Sequence, residues 1–141
     1  MSADAKILIV DDIDDNLYTL ERRLNRDGYN DIVKASGGNE ALSLVEANKF
    51  DLVLLDLMMP DVSGLEVLKK LKSDPEHRKI PVIMVTAADE VETTAECIAA
   101  GAEDYLTKPI NSKLVKARVT PCLKKKKFSD HEEVYLKKYY R

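Results

Sequence analysis

Tryptophan is absent from the sequence, and cysteine and histidine occur only twice each in 141 residues. Cys97 and Cys122 stand 25 positions apart with no CxxC spacing and no histidine pair beside them, which excludes a zinc-finger pattern and a disulfide framework. Both thiols read as reduced and structural. Five glycines and five prolines are too few for a low-complexity or repeat-built chain. No apolar run approaches the roughly 18 residues of a membrane span, and the opening "MSADAKILIV" lacks a basic region followed by a long apolar segment. The chain therefore reads as soluble, unprocessed and cytoplasmic, with no membrane partner.

A hydrophobic fraction of 45% can fill one core, and the length suits one compact domain. The net charge of −3 conceals an asymmetry. Residues 1–110 hold 12 Lys and Arg against 22 Asp and Glu, whereas residues 111–141 hold 10 against 3. A basic tail can contact nucleic acid, but no helix-turn-helix or zinc-finger pattern accompanies it, so it reads as a solvated helix face without direct nucleic-acid binding.

Short apolar runs alternate with stretches of helical period. "KILIV" (6–10), "DIVKA" (31–35), "LVLLD" (52–56), "PVIMVT" (81–86) and "DYLT" (104–107) predict five strands. Between them, Leu17, Leu20 and Leu24 up to the Gly28 stop, then Ala41 to Val45, then Val62 to Leu71 with Ser63 as N-cap, keep a helical spacing. A fourth helix runs from about Glu90 to Ala100, and a last one starts near Asn111. Strands and helices in strict alternation imply an α/β fold, doubly wound around a parallel sheet that is covered on both faces. Ligands of such sheets bind beyond the carboxyl ends of the strands, so the residues just after each apolar run carry the information.

Those residues are Asp11 and Asp12, Asp56, Thr86, and Lys108 with Pro109. Taken singly, each has an ordinary explanation: a capping acid, a strand-end hydroxyl, a surface cation. Gathered on one rim, three carboxylates repel one another and raise each other's pKa unless a cation intervenes. Oxygen ligands alone favour a hard ion, Mg²⁺ completed by water and phosphate oxygen. A carboxylate beside such an ion, a lysine and a hydroxyl is suited to in-line attack on a phosphoryl group, giving an acyl phosphate. The break "MMP" after Asp56 lets the Met58 carbonyl turn toward the metal, while Pro60 and Gly64 read as loop-shaping and close-packing residues.

"ILIVDD", "LVLLDLMMPDVSGLEVLKKLK", "PVIMVTA" and "AGAEDYLTKP" together resemble the receiver domain of two-component response regulators, a CheY-like superfamily, over roughly residues 5–123. The resemblance implies a flavodoxin-like (βα)5 fold with strand order 2-1-3-4-5. It further implies that Asp56 accepts a phosphoryl group from a sensor histidine kinase or phosphotransfer protein. Mg²⁺ would be held by Asp11, Asp12, Asp56 and the Met58 carbonyl, with Asp12 direct and Asp11 mainly through water. Thr86 corresponds to the switch hydroxyl, Tyr105 to the switch aromatic and Lys108 to the phosphate-pairing lysine, before a Pro109 that is usually cis. Such a module switches its helix 4, strand 5 and helix 5 face and is not an enzyme with an external substrate. Kinase specificity would lie in helix-one side chains such as Asn16, Tyr18, Thr19 and Arg22 or Arg23. Met58 and Ala88 occupy the positions that influence acyl-phosphate lifetime, and neither can position a water through its side chain.

Three other readings compete. A receiver-fold interaction module that is never phosphorylated would not need the complete acidic cluster with Lys108. A haloacid-dehalogenase-type phosphatase needs a second Asp two residues after Asp56, where Met58 stands. A nucleotide or flavin site wants a glycine- or hydroxyl-rich loop after strand one, whereas "DDIDDN" is acidic.

The resemblance ends in the tail. The receiver domain is expected over residues 1–123, followed by a basic, helical extension over 124–141 that serves as a linker toward an output domain. Pro121 is expected to kink or end the last helix. Leu114, Pro121, Phe128 and Tyr135 recur every seven residues, but the companion positions Ala117, Lys124, His131 and Lys138 are mostly polar. This helix, or the helix 4, strand 5 and helix 5 face, offers a homodimer surface. The ending "KKYYR" reads as that of a piece of a longer protein.

Overall fold

The computed structural model describes residues 4–139, with side chains described as far as residue 126 and again at Asp130. The heptad positions 128, 131, 135 and 138 therefore lie outside the described side chains. Five strands, β1 (Lys6–Val10), β2 (Asp31–Ala35), β3 (Leu52–Asp56), β4 (Val82–Ala87) and β5 (Asp104–Lys108), alternate with α1 (Asp14–Arg26), α2 (Gly38–Ala47), α3 (Gly64–Ser73), α4 (Val91–Ala99) and α5 (Ser112–Tyr139). All pairings are parallel and the strand order is β2-β1-β3-β4-β5. This is the flavodoxin-like α/β arrangement expected from the sequence.

The alternation along each strand divides the core in two. Leu8, Val53, Leu55, Val82 and Met84 point to one face, where Ala41 and Val45 of α2, Val67, Leu68 and Leu71 of α3 and Cys97 of α4 cover them. Ile7, Ile9, Leu52, Leu54, Ile83 and Leu106 point to the other, beneath Leu17, Leu20 and Leu24 of α1 and Val115, Val119, Cys122 and Leu123 of α5. Burial on both faces explains why the central strands read as unbroken apolar runs rather than as an alternation. Both cysteines are free and buried. No described helix is long and apolar enough to cross a membrane.

Helix starts follow local chemistry. Ser63 caps α3 by accepting from the Glu66 N–H at 3.2 Å, as its position before "GLEV" suggests. The cap of α2 is different: Gly37 offers no side chain, and Asp61 reaches across from the β3–α3 loop to accept from Gly38 N (3.2 Å) and Asn39 N (3.0 Å). Those backbone N–H groups, Asn39 first, hold the Asp61 carboxyl below the usual carboxylate range.

One expectation is corrected. Pro121 does not end the last helix, which continues to Tyr139. Proline removes one backbone N–H bond and crowds the carbonyl four residues earlier. Here Val115 and Val119 before it and Cys122 and Leu123 after it are all buried against the sheet, so packing on both sides holds the helix through the defect. The proline itself is exposed.

Candidate functional site

In the order β2-β1-β3-β4-β5 the chain winds outward in opposite directions from β1 and β3, so the crevice between their carboxyl ends is the topological switch point. Asp11 and Asp12 directly follow β1, and Asp56 is the last residue of β3. One carboxylate oxygen from each of the three lies within 4.8 Å of the other two. Thr86, buried next to the end of β4, and Lys108, the last residue of β5, complete the rim; their strands are in register at Thr86↔Thr107 and Ala87↔Lys108.

One ammonium group faces the three carboxylates. Lys108 crosses the strand ends to place its Nζ 3.2 Å from Asp11 Oδ2 and 3.2 Å from Asp56 Oδ1. Asp11 is further tied by its Oδ1, which accepts from Ile13 N at 2.9 Å. Asp56 is 5% exposed. Burial, and then the neighbouring Asp11 charge, push its pKa up to about 6 although Lys108 pulls the other way. Lys108 keeps its proton, since the two carboxylates raise its pKa against the opposing effect of burial. A carboxylate poised this close to neutrality is short of positive charge, and a small dication coordinated by oxygen would supply it.

The loop after Asp56 is tied down at two points. Gly64 donates its N–H to Leu57 O at 2.8 Å, and a Cβ at Gly64 would run into the Asp56 carbonyl and approach Leu57 Cα to 2.8 Å. Asp61 ties the middle of the same loop to α2. Between these anchors the Met58 side chain is turned outward, 64% exposed. On the other side, Glu90 Oε1 accepts from Ala87 N at 2.6 Å and closes the β4–α4 loop.

Tyr105 points outward from β5, 41% exposed. The guanidinium of Arg118 on α5 lies 5.8 Å from its ring centroid and also pairs with Asp104 at 3.0 Å. The Lys108–Pro109 peptide is cis. The structure thus brings Asp11, Asp12, Asp56 and Lys108 into contact range, with Thr86 at the adjoining strand end, while Tyr105 and Met58 stand on the surface around them. Three contributors escaped the sequence reading: Asp61, Glu90 and Arg118. Their partners lie on other elements or on backbone groups, and only an acid inside a turn or a cation on a helix face hinted at them.

The sequence profile of the response regulator receiver domain matches residues 7–120. The chain belongs to that family. Among curated relatives of this receiver domain, response regulator PleD of Caulobacter vibrioides is 42% identical over 115 residues, covering 82% of this chain and 25% of the relative. The alkaline phosphatase synthesis transcriptional regulatory protein PhoP of Bacillus subtilis is 41% identical over 120 residues, covering 85% and 49%. The chain thus spans between a quarter and a half of the length of these relatives. Among solved structures, a CheY-like response regulator receiver domain protein of Methanospirillum hungatei superposes with a TM-score of 0.81 at 30% identity, covering 89% of this chain and 98% of that one. A response regulator receiver domain of Francisella gives 0.78 at 32% identity, covering 86% and 98%.

Proposed function

We propose that this receiver domain takes a phosphoryl group onto Asp56 and signals the change through the surface formed by α4, β5 and α5. The observation that carries the reading is the position of Lys108 Nζ, 3.2 Å from both Asp56 and Asp11 inside a cluster of three carboxylates. A carboxylate oxygen of Asp56 attacks the phosphorus of a phosphohistidine donor, the P–N bond breaks, and the imidazole nitrogen leaves with the bonding pair and takes up a proton. Lys108 Nζ pairs with the equatorial oxygens as their charge develops, and Thr86 donates its hydroxyl to one of them. Asp11, Asp12, Asp56 and the Met58 carbonyl would hold Mg²⁺, which supplies electrostatic stabilisation of the transferring group. The residues fit that ion: all side-chain donors are oxygens, and three carboxylates share a single lysine.

Once Thr86 is drawn to the phosphoryl group, Tyr105 leaves Arg118 and turns inward, so a local charge event biases a two-state surface. Val91 and Ile98 of α4, Tyr105 of β5 and Leu114 of α5 are exposed and apolar, which suits a face made to meet a partner or a second copy. The donor docks beside α1, where Tyr18 is 58% exposed under the guanidinium of Arg22. Residues 1–123 form the receiver unit. Beyond Leu123, which is buried against the sheet, α5 continues as a linker to an output domain in a longer regulator.

Label from radioactive acetyl phosphate tests the chemistry. Transfer that requires Mg²⁺ and is released by hydroxylamine, which cleaves acyl phosphates and spares phosphate esters, fits an aspartyl phosphate. Hydroxylamine-stable label would place the phosphoryl group on a hydroxyl side chain and end this reading.

A further inference from the structure

At the opposite pole of the sheet from Asp56, a surface cleft of about 900 Å³ opens between the end of α2 and the segment joining α3 to β4. Glu46 and His77 line it, and one ligand atom from each of Glu46, Asp74 and His77 lies within 4.8 Å of the other two. Three features separate this group from an ordinary patch of surface acids.

First, the histidine is buried and oriented. His77 is 9% exposed, and its Nδ1 stands 3.1 Å from Asp74 Oδ2. Asp74 is itself pinned, because its Oδ1 accepts from Glu76 N at 2.8 Å. The imidazole is thus held against a carboxylate, with one ring nitrogen and one oxygen from each acid close enough to share an ion.

Second, both carboxylates stand where helices disfavour them. Glu46 lies in the last turn of α2, which has no basic residue there, and Asp74 is the C-cap of α3. Helix C-termini carry partial negative charge, so a cation between them relieves both ends at once. Third, the donor set is mixed. Two carboxylates and one imidazole suit a first-row transition dication, whereas Mg²⁺ and Ca²⁺ prefer oxygen alone. Lys49, Lys79 and Lys126 also line the cleft, and Lys126 pairs with Asp130 at 2.8 Å.

We infer that Glu46, Asp74 and His77 form a second metal site, selective for Zn²⁺ or a similar transition dication, that clasps the end of α2 to the α3–β4 connection. It shares no residue with the Asp56 cluster, so either proposal can fail alone.

Calorimetric titration of the full chain with zinc chloride, in Mg²⁺-free buffer with a non-chelating reductant, tests it. One Zn²⁺ should bind to Asp12→Asn, in which the acidic cluster at the other pole is weakened, and the further variants are made in that background. Binding should weaken at least about tenfold in Glu46→Gln and His77→Gln. Glu46 is exposed and its substitution leaves the fold intact, which guards against a His77 variant that merely unfolds. Zn²⁺ should also raise the melting temperature of Asp12→Asn and not that of the same protein carrying Glu46→Gln. No heat of binding, an isotherm unchanged in both variants, or loss of binding in His131→Gln instead would overturn the assignment.

Discussion

Lys108 Nζ stands 3.2 Å from Asp56 Oδ1 and keeps the same distance to Asp11 Oδ2, so one ammonium holds two carboxylates that would otherwise repel each other. Replacing it by alanine leaves both uncompensated. Lys108→Ala should slow phosphorylation from acetyl phosphate at least tenfold, about 1.4 kcal/mol of barrier, and raise the pKa of Asp56 further. Rates by quenched mass spectrometry and carboxyl titration by NMR would check both. An unchanged rate would remove Lys108 from the chemistry.

The raised pKa of Asp56, about 6, makes a second prediction. Only the carboxylate is a nucleophile, so phosphorylation at low Mg²⁺ should fall as pH drops through about 6, and saturating Mg²⁺ should move that midpoint downward. The folded state holds this proton more tightly than the unfolded chain does, whose carboxyl titrates near 3.8. The resulting stabilisation is complete below pH 3.8 and is lost as pH rises through about 6. At neutral pH, therefore, Asp56→Asn should make the Mg²⁺-free protein more stable, by ~2 kcal/mol at ~1.4 kcal/mol per pKa unit with some allowance for relaxation. The gain should vanish near pH 4 in denaturant titrations of both proteins.

Gly64 tests the geometry of the loop rather than its charge. A Cβ there overlaps the Asp56 carbonyl, which belongs to backbone and cannot swing aside. Gly64→Ala should cost about 1–3 kcal/mol of stability, as overpacking does, and weaken Mg²⁺ binding because the Met58 carbonyl moves with the loop. Denaturation and Mg²⁺ titration would report the two effects separately.

Met58 and Ala88 make a prediction about the lifetime of an Asp56 phosphate. Both are exposed next to the site, and neither side chain can hydrogen-bond an attacking water. The phosphorylated protein should persist for minutes or longer, and Met58→Asn should shorten its half-life several-fold. Decay within seconds in the wild type would contradict this account of Met58.

Most of the fold was legible because periodicity survives in one dimension. The central strands announce burial on both faces as continuous apolar runs, and Leu17, Leu20 and Leu24 mark the covered side of α1. Asp11, Asp12, Asp56, Thr86 and Lys108 could be gathered on one rim since parallel strands end together. What stayed hidden depends on contacts between distant positions. Asp61 caps a helix that begins 23 residues earlier. Arg118 meets Tyr105 from a different element, and nothing in their spacing announces a guanidinium over a ring. Pro121 does not end its helix because burial on either side of it outweighs the local breaking rule. Asp74 stands three residues before His77 in the chain, but only the fold brings Glu46 of α2 beside them.

The most direct test of the central claim is the intact mass of the wild type and of Asp56→Asn after incubation with acetyl phosphate and Mg²⁺. The wild type should gain one phosphoryl group, about 80 Da, and Asp56→Asn should gain nothing. Equal modification of both proteins, or none of the wild type under conditions that modify another receiver domain, would contradict Asp56 as the phosphoryl acceptor.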